Sequence, residues 1–438
     1  MIKSLDAKLD EIRNNPASRK FIIADAKDAD MAFGVKAPGS RNYLSRSGKH
    51  PAQFSPEIWT REEYGSRNLP EFLDIIREVV HQGSIDIVLM SAYVNELLSI
   101  KEGLFNNSAI TPAARANDTS DIWVVRNGNY IQSPSTPFRS ATIDHIQCGK
   151  IECDRDTDEF PGANLGLYSV TFVNDLDQDR LALQAFKNFR EEAERKRFRY
   201  FLEIFDPNVD SGIPPEKLGE FINDQITRTL AGVTEAGRPQ FLKIVYHGPR
   251  FMEELVQYDP NMIVGVLGGS AGTTYDAFKL IHDAQKYGAR VALYGRKINN
   301  AEHQLAFIEM LRLITDQVIS PEEAVRAYHG ILQKLSIRPT RSLEEDSQLT
   351  ESSMSYGDSN TKSRIQVSDK PDFKVNNSEK TKCSGDESSC GCGCTEKPDS
   401  ENSKDLWPLK ANGAPDFSNM TSEQRLVFHK VRLKKKFG

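Results

Sequence analysis

Hydrophobic residues along this chain alternate between two spacings from about Lys20 to Leu335. Short β-rich apolar runs of period two or less read as buried strands, and longer stretches with apolar residues at i, i+3, i+4 and i+7 read as amphipathic helices. The first strand lies in KFIIADAKDADMAFG, followed by strands at Ile85–Ser91, Ile122–Val125, Leu167–Phe172 and Tyr200–Phe205. Three more lie in FLKIVYHGP (Phe241–Pro249), MIVGVLGGSAG (Met262–Gly272) and ARVALYGRKI (Ala289–Ile298). Helical spacing fills the gaps: PEFLDIIREVVHQG with Phe72, Ile75, Ile76 and Val79 on one face, then Val94–Leu104, Asp177–Phe198 and Lys217–Ala231. Leu5–Arg13 predicts a short leading helix, and Asn300–Thr315 and Ser320–Leu335 two closing ones, the last with Ser, Pro and Glu placed as a helix start demands.

Eight strands alternating with helices predict an α/β fold, a (β/α)8 TIM barrel over residues 1–338, with its site at the C-terminal strand ends. The alternative is an open doubly wound sheet, but no Gly-X-Gly-X-X-Gly follows the first strand. Residues from Gly34 to Leu69 show no sustained period and read as a long irregular excursion. The segment from the third strand to Cys153 is hard to assign and could hold a β-hairpin. From Pro339 polar residues dominate, predicting a disordered linker over 339–404; 405–438 is a basic tail with a candidate short helix at Thr421–Phe437.

The hydrophobic fraction of 38% agrees with part of the chain lying outside a packed core. A net charge of −6 gives no reason to expect nucleic acid, and no apolar run suits a membrane span. The charged N-terminus lacks the apolar centre of a secretory signal, so a cytoplasmic protein is expected. Six cysteines are present. In a reducing compartment Cys148 and Cys153 read as ordinary residues rather than a disulfide. Cys383, Cys390, Cys392 and Cys394 lie in the polar linker, where they read more readily as an opportunistic soft-metal or redox tail than as a defined site. No histidine spacing supports a metal in the barrel, and no cofactor is expected.

The strand tips carry the candidate chemistry. Lys243 shares a strand face with Phe241, Val245 and His247. A lysine among apolar neighbours on a buried strand is pushed towards the neutral amine, which can attack a carbonyl to form a Schiff base; the alternative is a structural lysine paired with a carboxylate. Gly268-Gly269-Ser270 and Gly295-Arg296 end successive strands and suit a phosphate, through close backbone amides and a guanidinium. Glu203 and Asp25 are the acid–base candidates, or salt-bridge partners of Lys243 and Arg296. Lys27 could depress the pKa of Lys243 by like-charge repulsion. Asp206, Arg126 and His247 lie at further strand ends.

These residues resemble the class I, Schiff-base aldolases that include deoxyribose-phosphate, archaeal-type fructose-bisphosphate and tagatose-bisphosphate aldolases. The resemblance covers about Lys20–Leu335 and is strongest in FLKIVYHGP, VLGGS and YGRKI. It implies that Lys243 forms the imine, that Gly268, Gly269, Ser270, Gly295 and Arg296 hold the substrate phosphate, and that Asp25 is the strand-one aspartate. Archaeal-type fructose-bisphosphate aldolases have Tyr where this chain has Asp206. LEI on strand five resembles the tagatose-bisphosphate and sulfosugar-phosphate branch, which makes Glu203 the expected acid–base. The expectation is a metal-independent, homo-oligomeric lyase that acts on a phosphorylated ketose. The alternatives are a non-catalytic phosphometabolite-binding barrel, and an isomerase or other lyase without an imine.

Overall fold

The computed structural model describes residues 2–28 and 69–350, apart from 16, 124, 126, 127, 155, 157, 158, 270 and 271, together with short stretches between 407 and 431. The chain divides into two units. The first holds residues 1–40 and 66–367, the second 41–65 and 368–438.

The first unit is a closed barrel of eight parallel strands. Its strands are β1 (Ile22–Lys27), β2 (Ile87–Met90), β3 (Thr111–Arg115), β6 (Leu165–Thr171), β7 (Arg199–Phe205), β8 (Leu242–Ile244), β9 (Val264–Leu267) and β10 (Val291–Tyr294), and β10 closes onto β1. Between β3 and β6 the antiparallel pair β4 (Asp118–Thr119) and β5 (Pro137–Phe138) forms a small hairpin. The third barrel strand is therefore Thr111–Arg115 and not Ile122–Val125. TPAAR is short and poor in β-formers, whereas IWVV mimics a strand by composition. In the fold Ile122 lies in a turn after the hairpin's first strand.

The helices follow the expected order: α1 (Ser4–Asn14), α2 (Leu69–Gln82), α3 (Ala92–Asn95, running into a wider turn over Glu96–Lys101), α4 (Ile143–Cys148), α5 (Leu176–Arg195), α6 (Leu218–Ala231), α7 (Pro249–Tyr258), α8 (Thr274–Lys286), α9 (Arg296–Asn299), α10 (Gln304–Thr315), α11 (Pro321–Lys334) and α12 (Leu343–Asp346). Ser320 and Glu323 cap α11 reciprocally, as the sequence predicts. Cys148 and Cys153 form a disulfide with Cα atoms 6.0 Å apart, which corrects their reading as ordinary residues. Four residues separate them in sequence, and the turn that ends α4 brings them within bridging distance.

Alternation along the strands sorts the core into two sides. Odd-numbered Ile23 and even-numbered Leu202, Ile244 and Val266 join the layer beneath the helices. Ile22, Ala24, Leu89, Phe201, Phe241 and Leu293 pack inside the barrel, where Leu5 and Leu9 of α1 plug the floor. Phe201 and Phe241 stack there at 4.6 Å.

Ordered structure also runs past residue 338, contrary to the linker expected from Pro339. Helix α12 and its flanks lie on the start of α8: Asp346 accepts from the Thr274 amide at 2.7 Å, and the Thr350 amide donates to Asp276 at 2.8 Å. Apolar periodicity could not show this strap, because polar groups hold it. Among the described residues of the second unit, Trp407 and Phe417 meet Phe428 edge-on at 5.0 and 5.1 Å. Positions 423–425 and 427–428 are helical, within the expected Thr421–Phe437 segment. Most of the rest of that segment and the Gly34–Leu69 excursion, up to residue 68, lie outside the described residues, as do Cys383, Cys390, Cys392 and Cys394. No helix among the described residues is long and apolar enough to cross a membrane.

Candidate active site

Parallel register carries Ser169, Glu203 and Lys243 to one level on neighbouring strands β6, β7 and β8. All three share the inward strand face, because Phe201 and Phe241, two residues earlier, belong to the inner core. The next partner in register, Gly265 on β9, adds no side chain at that level. A polar layer thus sits above the apolar floor. Above it, Phe205, Val245 and Leu267 form a small apolar roof, with Ile122 of the β4–β5 connection packed against it.

Within this layer Lys243 Nζ is in ion contact with Glu203 Oε1, the lysine 5% exposed and the glutamate fully buried. Ser169 Oγ donates to the other carboxylate oxygen at 2.7 Å. Asn117 fixes Ser169, accepting from its amide at 2.7 Å and donating to its carbonyl at 2.9 Å. Arg115, at the inner end of β3, donates from Nη1 to Ser169 Oγ at 3.4 Å and from Nε to Asp28 at 2.6 Å. Burial acts to lower the pKa of Arg115, but the carboxylates of Asp28, Glu203 and Asp118 outweigh it and raise the pKa, so the guanidinium is firmly charged. Buried charges persist only with such partners.

Asp25 and Lys27 are not brought to this layer. Asp25 pairs in register with Val88 and Tyr294, both in the layer under the helices, so it occupies the outward face of β1. There Lys27 Nζ donates to both Asp25 oxygens, at 2.8 and 2.7 Å, and to Asn299 Oδ1 at 2.5 Å. Burial raises the pKa of Asp25, against the pull of Lys27. The inward positions of β1 are Ile22, Ala24 and Ala26, and the strand-one carboxylate that reaches the polar layer is Asp28, just past the strand end. Parity in IIADAKD was the available signal for it. Arg115, Ser169 and Asn117 were also missed in the sequence: once β3 was placed at Ile122–Val125, Arg115 had no strand to belong to.

The candidate phosphate tips are adjacent. β9 and β10 pair through Leu267 and Leu293, and the Gly268 amide donates to the Leu293 carbonyl at 2.9 Å. A Cβ on Gly268 would lie 2.1 Å from the Tyr294 ring, and Gly269 adopts φ +59°, so both positions favour glycine. Gly295 precedes α9, and Arg296 opens that helix half-buried. Ser270 and Arg126 lie outside the described residues. A further cation is present: Lys297 Nζ donates to the Gly272 carbonyl at 2.8 Å, and burial pushes its pKa down to about 8. Past the ends of β7 and β8, His247 Nε2 and Asp206 Oδ1 are 3.0 Å apart, and the other Asp206 oxygen is buried with no hydrogen-bond partner among the described residues. No group of metal-holding side chains occurs among the described residues.

No family model and no curated protein matches the chain. Solved structures similar to it include an archaeal fructose 1,6-bisphosphate aldolase, at 13% identity over 70% of this chain and 98% of that one, with a TM-score of 0.46. A Schiff-base-forming fructose-1,6-bisphosphate aldolase is 15% identical over 71% of this chain and 99% of that one, TM-score 0.45. N-acetylneuraminate lyase from Fusobacterium nucleatum is 12% identical over 73% and 83%, TM-score 0.37.

Proposed function

We propose that the protein is a class I aldolase that makes or cleaves a C–C bond in a phosphorylated ketose or related sugar phosphate through an imine on Lys243. The observation that carries this reading is the contact between Lys243 and Glu203 inside the barrel, below adjacent glycine-rich tips on β9 and β10. The contact gives the lysine proton a direct route to a carboxylate, which frees the amine lone pair.

In the cleavage direction the amine adds to the substrate carbonyl and the carbinolamine loses water to give an iminium. Glu203 returns the lysine proton to that departing water and, as carboxylate again, takes the proton of the hydroxyl whose carbon becomes the leaving aldehyde. The C–C bond electrons pass into the iminium as an enamine, and protonation and hydrolysis then return the second product and free Lys243. Asp28, held in reach by Arg115, assists at the carbinolamine stage in place of Asp25, the expected strand-one aspartate. Gly268, Gly269, Ser270, Gly295 and Arg296 anchor the phosphate.

Borohydride added with dihydroxyacetone phosphate should leave a permanent mass adduct on Lys243 and none on Lys243→Met. An unmodified lysine across a panel of ketose and aldose phosphates would overturn the proposal. The apolar roof over Lys243 favours a second reading, a non-catalytic phosphometabolite-binding barrel with Lys243 as a structural ion pair. That reading predicts ligand binding without turnover, unchanged in Lys243→Met.

A further inference from the structure

At the opposite end of the barrel, where β1 and β10 begin, a pocket of about 530 Å³ opens between the end of α8 and the α10–α11 connection. One side is cationic, lined by Arg19, Lys286 and Arg290, and the other is apolar, lined by Ile314, Val318 and Ile319. No carboxylate among the described residues lines it. The acidic side chains nearest in sequence are engaged elsewhere: Asp283 with Lys279 at 2.8 Å, Asp316 with Arg312 at 3.8 Å, and Glu323 with the Ser320 amide at 2.8 Å.

The three cations make no ion pair among the described residues. Arg290 spends Nε and Nη1 on backbone carbonyls of Ser18, Gln285 and Ala289, leaving Nη2 without a hydrogen bond. Arg19 uses only Nη1, on Gln317 at 2.9 Å, and Lys286 rests over the Tyr287 ring at 5.1 Å. Burial and then the charge of Arg19 lower the pKa of Arg290, so the two guanidiniums repel each other with no counter-charge between them. Arg290 is half-buried, with Arg19 and Lys286 more exposed beside it, whereas Arg115 has Asp28 and Arg312 has Asp86.

We infer that this pocket is a second ligand site, separate from the Lys243 end of the barrel, which takes a small organic phosphate: the anionic head on Arg19, Lys286 and Arg290, the body against Ile314, Val318 and Ile319. The geometry matches the recognition of phosphate by forked donors, with an apolar wall to select a substituted ester over the free ion. Occupancy would join the start of β1 to α8 and to the α10–α11 turn, and would therefore stabilise the folded chain.

The test is calorimetric titration of the full chain with phenyl phosphate and with inorganic phosphate. The double variant Arg19→Ala/Lys286→Ala is compared with Arg296→Ala, which reports binding at the other end. Arg290 is left in place because its backbone bonds make its loss a folding question. The expected result is a binding component that prefers phenyl phosphate, weakened about tenfold or more in the double variant and unchanged in Arg296→Ala, which alters only binding at the other end. Circular dichroism should show both variants folded. Absence of binding, binding lost only in Arg296→Ala, or equal affinity for the two ions would overturn the inference. Failure here leaves the imine proposal untouched, since neither variant alters Lys243 or Glu203.

Discussion

At the scale of single residues, the proposed chemistry comes down to which partner Lys243 keeps. Glu203 has one oxygen on the lysine and one on Ser169, so replacing it by Gln preserves shape while removing the proton acceptor. Glu203→Gln should lower kcat by about 10²–10⁴-fold, the usual worth of a positioned acid–base group, while borohydride still traps the imine on Lys243. Steady-state rates and intact-mass spectra together check this. Lys297 gives a different handle. Its pKa is lowered from 10.5 to about 8 by burial. Below about pH 8 it is charged in both folded and unfolded chains and the folded one bears the burial cost; above about pH 10.5 it is neutral in both. Folding is therefore favoured increasingly as pH rises across that window. The melting temperature of the wild type minus that of Lys297→Met should rise between about pH 7.5 and pH 10, and a flat difference would refute the assignment.

At the scale of elements, β9 and β10 are held close enough that position 268 has no room for a methyl group. Gly268→Ala must push the Tyr294 ring, whose hydroxyl is tied to the Ala277 carbonyl at 2.7 Å. We expect a loss of about 2 kcal/mol or more, as for overpacked cores, read as a lower denaturant midpoint. Seven of the eight barrel strands were legible from apolar runs, because parallel strands buried on both faces write themselves as continuous hydrophobic segments. The third was not, since TPAAR carries little β signal and its neighbour IWVV carries much. The Lys243–Glu203 pairing was legible because both side chains share a face with phenylalanines. Asp25 was misplaced because nearness to the strand end was weighed without strand parity, by which Ala24, Ala26 and Asp28 face inward. The disulfide is a local return of the chain, which composition does not encode.

At the scale of the whole molecule, the C-terminal end of the barrel strands and the chain just beyond Pro339 are joined by polar contacts. Asp346 accepts from the Thr274 amide and sits 2.9 Å from His329, so it caps α8 from outside that helix. Asp346→Ala should destabilise the chain by about 1–2 kcal/mol, the cost of a lost cap, which thermal unfolding would register. An unchanged melting temperature would show that the strap adds nothing to the barrel. The apolar roof of Phe205, Val245 and Leu267, with Ile122 against it, bears on measurement more than on stability. If these side chains bar the way, the carbonyl of the proposed substrate reaches Lys243 only in those molecules whose roof has parted. Any affinity measured for a substrate is then its intrinsic affinity scaled by the open fraction. Trimming Ile122, a residue with no part in bond making, would tighten apparent binding simply by making the open form commoner.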